Sequence, residues 1–450
     1  MGKLFGTDGI RGKANTYPIT PEVALQVGKA VAHVFKAEGR SYSRAVVGKD
    51  TRLSGYMLEN ALASGLVSMG MDVYSVGPMP TPAVAHLTKS FCATCGIMIT
   101  ASHNTSEDNG IKIFDANGFK LPDEVENDIE AHVLGGEINS AHIGTEFLGK
   151  AFRIDDARGR YIEFAKASIK NHSLKGLKIV LDCANGAAYS ISPIIFRELG
   201  AEVIKSSTEP DGFNINRDCG ATHPQNISRL VLQHRADVGI ALDGDGDRVI
   251  FCDSQGRVVN GDRILGLCAL DFKERGRLAK NTVVVTSMSN LGLTKAMEKA
   301  GINAVVTDVG DRYVVEKMRS GGYNIGGEPS GHVIFMDYVT TGDGTITALH
   351  VLKLMMDKNK SLAELSDFME ELPQRLSSIM VKRKIPIDEV PNLRAVISEC
   401  GKSLGNNGRV IVRYSGTENK IRLLVEAVNQ KDVETWTAKI KSVIEKELCS

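Results

Sequence analysis

The chain reads as an α/β protein: three consecutive α/β units with mixed, mostly parallel sheets, followed by a smaller α+β C-terminal domain. Three observations predict this. Short apolar runs such as 177–181 and 238–242 lack polar alternation, as strands covered on both faces do. Such runs alternate with helical patterns through three successive stretches. Beyond Leu372-Pro373 the composition turns β-rich, with strands expected at 378–381, 410–414 and 421–427. The boundaries expected from these shifts are 1–150, 151–255, 256–372 and 373–450.

Length and composition agree with several packed cores, since 450 residues with 42% hydrophobic content suit a multidomain globular chain. Lys plus Arg and Asp plus Glu each total 54, so no net field recruits nucleic acid or an acidic membrane surface, and an anionic ligand must be met by local charge. No signal-peptide core opens the sequence, and no apolar run approaches the roughly 18 residues of a membrane span, so a cytoplasmic location is expected. The eight cysteines are scattered, as packed reduced thiols are. Cys92 and Cys95 form a C-x-x-C without a second pair or a ligand His at metal-site spacing, which favours packing over zinc or redox chemistry. Phosphate-binding G-x-x-x-x-G-K-[ST], dinucleotide G-x-G-x-x-G and H-E-x-x-H patterns are missing, which removes nucleotide, nicotinamide and zinc-protease readings.

Taken in order, Phe5-Gly6-Thr7-Asp8-Gly9-Ile10-Arg11-Gly12 is a glycine-punctuated loop that offers Arg11 to an anion or to solvent. Thr20-Pro21-Glu22 opens a helix with Val23, Val27, Val31 and Val34 on one face. A strand ending in Val47-Gly48-Lys49-Asp50-Thr51-Arg52 puts Lys49 and Arg52 at its exit, where they could frame a site. The run 96–100 is a buried strand that delivers Ser102 at its C-terminal edge, where α/β sheets place ligands. Ser102 lacks a Gly-x-Ser-x-Gly setting, so acyl transfer is the weaker chemistry; Thr100, Ser102 and Asn104 could also simply cap the next element. His103, as the next residue of extended chain, should face away from Ser102. Gly135-Gly136 marks a loop before a helical run at 157–169.

The second unit ends in Asp243-Gly244-Asp245-Gly246-Asp247-Arg248 between two apolar strands. Carboxylates at alternate positions of an extended loop point the same way and repel one another unless a cation neutralises them. An all-oxygen donor set favours Mg²⁺. An EF-hand is excluded, because the sixth position is Arg248 where Gly is needed and the twelfth is Ser254 where Glu is needed. The third unit has a helix to about 277, strands at 283–286 and 305–309 around a helix at 291–300, and the polar junction Gly326-Gly327-Glu328-Pro329-Ser330-Gly331-His332. Glu328, Ser330 and His332 could meet sugar hydroxyls, and a plain turn fits equally. In the tail, Arg413-Tyr414-Ser415-Gly416-Thr417 combines a guanidinium fork, hydroxyls and backbone N–H groups: either a phosphate loop built on Arg413, Ser415, Gly416 and Thr417, or a hairpin turn.

Thr100-Ala101-Ser102-His103-Asn104 followed by Asp108-Asn109-Gly110-Ile111-Lys112 resembles the active-site loop of the α-D-phosphohexomutases, and the ordered set of four loops extends the resemblance over the whole chain. Two positions depart from the family pattern: Thr105 stands where proline is usual, and Pro329 differs in the sugar loop. The segments 5–12, 288–292 and 309–313 look most like the members that act on glucosamine phosphates. The resemblance implies four domains around a central cleft, and an isomerase that interconverts glucosamine 6-phosphate and glucosamine 1-phosphate through phosphoserine at Ser102. It implies one Mg²⁺ per chain on Asp243, Asp245, Asp247 and the Ser102 phosphate, with Arg11 and Arg248 holding the transferring group. Lys112 becomes the proton shuttle to the sugar hydroxyl, a role that requires a lowered pKa. Glucosamine 1,6-bisphosphate is the implied intermediate and activator. The partner is a small hexosamine phosphate, without nucleic acid or membrane, for a monomer or homodimer. The alternatives are a phosphomannomutase or phosphoglucomutase of the same superfamily, or a phosphosugar phosphatase.

Overall fold

The computed structural model describes residues 4–6, 8–36, 43–414 and 419–449. Ser415, Gly416 and Thr417 of the predicted phosphate loop, like Thr7, lie outside the described residues. The chain divides into two compact units, Met1–Met288 with Gly301–Asp367, and Ser289–Ala300 with Phe368–Ser450.

The larger unit holds three sheets. The first comprises β1 (Ile10–Lys13), β2 (Arg44–Lys49), β3 (Asp72–Pro78), β4 (Cys95–Ile99), β5 (Asp108–Phe114) and β6 (Ala151–Arg153), in the order β1-β5-β4-β2-β3-β6. The second comprises β7 (Lys178–Asp182), β8 (Glu202–Ser206), β9 (Val238–Leu242), β10 (Val249–Asp253) and β11 (Val258–Val259), ordered β11-β10-β9-β7-β8. The third comprises β12 (Thr282–Thr286), β13 (Asn303–Thr307), β14 (Ile325–Gly327) and β15 (Val333–Phe335), ordered β13-β12-β14-β15. Every residue of β4, β9 and β12 is buried, which accounts for their unbroken apolar character. The first sheet reaches past the expected boundary at 150, because Ala151 pairs in parallel with Val73.

One topological device recurs in all three sheets. A parallel strand, β4, β9 or β14, turns through a tight loop into an antiparallel neighbour, β5, β10 or β15. The first loop carries Ser102, the second the three aspartates, the third Glu328 to His332. The aspartate loop is not the extended segment expected from its alternation. Leu242 pairs with Val249 across it, so it is a hairpin turn, and Gly246 supplies the left-handed φ of 71° that the turn demands.

The layers are fixed by packing. The helix Pro21–Lys36 buries Val23, Val27 and Val31 and crosses the helix Ser54–Ser68 with Gly28 facing Gly65; a Cβ on Gly28 would lie 2.3 Å from Leu62 O. Each buried Val or Leu at this crossing stabilises the unit by about 1.5–3 kcal/mol.

In the smaller unit β16 (Gln374–Met380), β17 (Gly408–Tyr414) and β18 (Lys420–Ala427) form an antiparallel sheet ordered β16-β18-β17. Helices Pro391–Leu404 and Gln430–Ile444 contribute Leu393, Val433 and Ile440 to its core. The helix Leu291–Lys299 belongs to this unit, and Leu291 N–H donates to the buried Glu426 Oε1 at 2.7 Å. Among the described residues no helix is long and apolar enough to cross a membrane.

Candidate active site

Ser102 follows β4 in a left-handed conformation, φ 50°, which costs a non-glycine residue about 1–3 kcal/mol. Hydrogen bonds hold it there. Its N–H donates to Thr100 Oγ1 at 2.8 Å, while its carbonyl accepts from Arg52 Nη2 at 3.2 Å and Asn216 Nδ2 at 2.8 Å. The buried Ser102 hydroxyl donates to Asp243 Oδ2 at 2.7 Å. The kink also swings His103 inward, against the expectation for extended chain: its Nδ1 lies 3.5 Å from Ser102 Oγ and accepts from Arg248 Nη1 at 3.1 Å. Burial first, then Arg248 and Arg11, push the His103 pKa down to about 4, so the ring is a neutral acceptor.

The cations expected to frame the loop do other work. Lys49 is buried, pairs with Glu59 and stands 3.9 Å above the Tyr56 ring. Arg52 serves backbone: it donates to Asp108 O at 2.8 Å and Asn104 O at 2.6 Å as well as Ser102 O, and pairs with the buried Asp50 at 2.9 Å.

Asp243, Asp245 and Asp247 each offer an oxygen within 4.8 Å of the others, and all three are buried. Asp243 Oδ1 accepts from Arg248 N–H at 3.1 Å, and Asp245 Oδ2 from Thr81 Oγ1 at 2.6 Å and Lys112 Nζ at 2.9 Å. Asp245 Oδ1 and Asp247 Oδ1 are buried without a hydrogen-bond donor among the described residues. Buried acceptors left open are costly, and a hard divalent cation on carboxylate oxygens satisfies them, so the donor set fits a metal. Burial, with Asp247 and Asp245 alongside, raises the Asp243 pKa well above the carboxylate range. Burial acts in the same sense on Asp247, but Lys112, His332 and Arg248 outweigh it and hold that carboxyl well below the range.

Lys112 projects from β5 into this cluster, with Asp245 at 2.9 Å, Asp8 at 3.3 Å and Asp247 at 3.6 Å. Burial alone would lower its pKa, as expected for a proton shuttle. The three carboxylates prevail and raise it, so Lys112 stands here as an ammonium ion. Arg11 pairs with Asp8 and donates to Ala101 O at 3.3 Å; the Nε of Arg11 and that of Arg248 are both buried without an acceptor among the described residues. Two open guanidinium donors beside a serine and an acidic triad suit a phosphoryl group.

Of the sugar-loop residues, His332 and Glu328 are buried, whereas Ser330 is not. His332 Nε2 accepts from Gly342 N–H at 2.9 Å, which leaves the ring proton on Nδ1, 3.6 Å from Asp247. Glu328 Oε1 accepts from Gly310 N–H at 3.2 Å. Arg413 lies on β17 of the smaller unit, in register with Arg422. Cys95 is a buried free thiol with its pKa pushed up to about 12, which accords with packing, whereas Cys92 is exposed, against the expectation that it too would be packed. Asp8, Thr81, Asn216, Lys120 and Asp311 also belong to the site, and sequence reasoning does not select them. Asp8 and Asp311 stand inside glycine-bearing segments that are distinctive as a whole, whereas nothing local marks the other three.

Known proteins share this architecture. The chain fits the models of phosphoglucomutase/phosphomannomutase α/β/α domain I over residues 2–139, domain II over 159–256, domain III over 260–372 and the C-terminal domain over 377–443. It belongs to the phosphoglucomutase/phosphomannomutase family and is a phosphosugar mutase, an isomerase. Among its relatives, the phosphoglucosamine mutase of Geobacter sp. (strain M21) is 52% identical over 449 residues, covering 100% of this chain and 99% of that protein. A phosphoglucomutase/phosphomannomutase family protein of Burkholderia thailandensis has the same fold, with TM-score 0.83 at 24% identity over 98% of this chain and 97% of its own. The fold is shared too by Aspergillus fumigatus N-acetylphosphoglucosamine mutase, solved with GlcNAc-6P and magnesium: TM-score 0.67, 20% identity, 98% of this chain and 95% of that one.

Proposed function

We propose that this mutase interconverts glucosamine 6-phosphate and glucosamine 1-phosphate through phosphoserine at Ser102 and glucosamine 1,6-bisphosphate. The observation that carries the reading is the Ser102 hydroxyl 2.7 Å from Asp243, inside a buried acidic triad with two open oxygens. The full-length likeness to phosphoglucosamine mutases supports the amino sugar. Asp243, Asp245 and Asp247 would hold one Mg²⁺ together with the Ser102 phosphate, and a metal so held supplies charge neutralisation for phosphoryl transfer.

The residues of the chain carry the rest. In one direction the bisphosphate's P–O bond to the sugar breaks, the phosphoryl group joins Ser102 Oγ while the hydroxyl proton passes to Asp243, which already accepts its hydrogen bond, and the Lys112 ammonium gives its proton to the departing sugar oxygen. In the other direction the neutral amine takes the hydroxyl proton of the attacking sugar, the Oγ–P bond breaks, and Asp243 returns the proton to Ser102 Oγ. Arg11 and Arg248 orient the group in transit. Glu328, Ser330 and His332 contact the sugar hydroxyls, while Arg413, Ser415, Gly416 and Thr417 bind the phosphate that is not reacting.

The test combines intact mass with product analysis. The purified enzyme should carry one phosphate that Ser102→Ala lacks, and it should turn glucosamine 1-phosphate into the 6-phosphate faster than the N-acetylglucosamine, glucose or mannose 1-phosphates. Release of inorganic phosphate in place of isomer, or an active Ser102→Ala, would refute it.

A further inference from the structure

The segment Val309-Gly310-Asp311-Arg312-Tyr313 has no role in the chemistry above, yet it touches the site at three points. Asp311 Oδ2 accepts from Lys120 Nζ at 2.6 Å and lies 3.6 Å from His332 Nε2, whose opposite ring nitrogen faces Asp247 at 3.6 Å. Asp311 is therefore one imidazole away from the acidic triad. Gly310 N–H donates to Glu328 Oε1, which ties the sugar loop to the residue just before Asp311. Arg312 fixes the start of the helix Asp311–Gly321 by pairing with Asp123 and Glu126, the latter at 2.7 Å.

The carboxylates around the triad are committed, and Glu328 is given to the sugar hydroxyls and to Gly310 N–H. Asp243, Asp245 and Asp247 face one another, Lys112 and the serine; Asp8 is shared by Arg11, Lys112 and Lys120. Among the described residues Asp311 has one lysine or arginine partner, Lys120, held between it and Asp8, and is itself partly open, with 14% side-chain exposure. A primary ammonium group thus already occupies the space between two carboxylates at the edge of the sugar loop. Glucosamine differs from glucose by such a group at C2.

We infer that Asp311 is the specificity-determining residue that receives the substrate's 2-ammonium group, in contact with Oδ2 and in competition with Lys120. The inference rests on the proposed glucosamine reading. A carboxylate there favours an ammonium over a hydroxyl, because only the ammonium gains a charge-assisted hydrogen bond in a site screened from water. Oδ1 accepts the helix's own Arg312 N–H at 2.9 Å, which keeps the carboxylate plane fixed.

The experiment measures kcat/KM for glucosamine 1-phosphate and glucose 1-phosphate with the full-length enzyme, Asp311→Asn, Asp311→Glu and Lys120→Met. Asp311→Asn should lower the glucosamine-to-glucose ratio by about tenfold or more, mainly through KM for the amino sugar, as loss of a hydrogen bond to a charged group does. Asp311→Glu should restore part of the ratio, and Lys120→Met should raise it by removing the competing ammonium. If Asp311→Asn depresses both substrates equally, Asp311 only props the loop and the inference fails. Should Asp311→Asn not fold, a ratio in Lys120→Met equal to or below that of the unsubstituted enzyme overturns it. A parent enzyme that ignores glucosamine 1-phosphate refutes the substrate reading itself, whereas an active parent with an unchanged ratio in Asp311→Asn refutes only this inference.

Discussion

Replacing Arg52 by Met should damage the nucleophile's loop without touching any group proposed to meet the substrate. The guanidinium is fully buried, bonds three backbone carbonyls of the loop and pairs with Asp50, which is itself fully buried and accepts from Thr100 Oγ1 at 2.6 Å. Asn216 still reaches Ser102 O and Asn104 O, both at 2.8 Å, so the groups stripped of this donor are Asp108 O and the Asp50 carboxylate. Breaking such a buried pair costs about 3–5 kcal/mol. For a domain of this size that lowers the melting temperature by about 10 °C. A displacement of the left-handed serine by about 1 Å should cost about 100-fold in kcat.

The effect has a pH signature. Burial holds the Asp50 pKa above its ordinary value even beside Arg52, so the contribution linked to this group is present at low pH and is lost as pH rises through that raised pKa. Removing Arg52 raises the pKa further. The deficit of Arg52→Met should therefore be smaller at about pH 5 than at about pH 8, and Arg52→Lys should lie between Met and the parent. Calorimetry at both pH values, with kcat measured in parallel, is the assay. A melting temperature within about 2 °C of the parent and a kcat within about threefold would refute the scaffold role of Arg52.

Asp245→Asn removes the carboxylate shared by Thr81 and Lys112, and activity should fall by about 100-fold or more without recovery in excess Mg²⁺; kcat against Mg²⁺ concentration reads this. Gly186→Ala should weaken Mg²⁺ binding by about tenfold in titration calorimetry, since its Cβ would meet Gly244 O at 2.3 Å and push the aspartate loop out of place. The His103 ring protons should titrate in NMR with a midpoint of about 4, not near the ordinary value of 6.5; the stability this ring contributes is complete above 6.5 and is lost as pH falls toward 4. Arg413→Ala should raise KM for the sugar phosphate by about tenfold while intact mass still shows the phosphoserine.

Local features are legible in the residues themselves. Unbroken apolar runs mark β4 and β9 because a strand covered on both faces leaves little room for a polar side chain, and the loops bearing Ser102 and the three aspartates follow where small and polar residues interrupt those runs. The metal reading has its start in the same place, since three carboxylates within five residues repel one another and favour a cation once they converge in a buried place. Their convergence has a different cause from the alternation of an extended segment: a hairpin turn brings them together.

Sequence alone thus determined where buried strands such as β4, β7, β9 and β12 lie and which family the ordered loops resemble, because each of those rests on residues close together in the chain. Tertiary structure alone decided that Ser102 meets Asp243 across 141 residues, that Lys112 meets Asp245 across 133, and that Asp8 and Asp311 share Lys120. It decided that Arg52 supports backbone while Lys49 is spent on Glu59, that a left-handed serine turns His103 inward, and that carboxylates raise the Lys112 pKa where burial would lower it. The physical reason is common to all of these. A side chain's partners and protonation depend on which sheet edges pack together and on what charge surrounds them at a few ångströms, and neither is encoded in the spacing of residues along one strand or one loop.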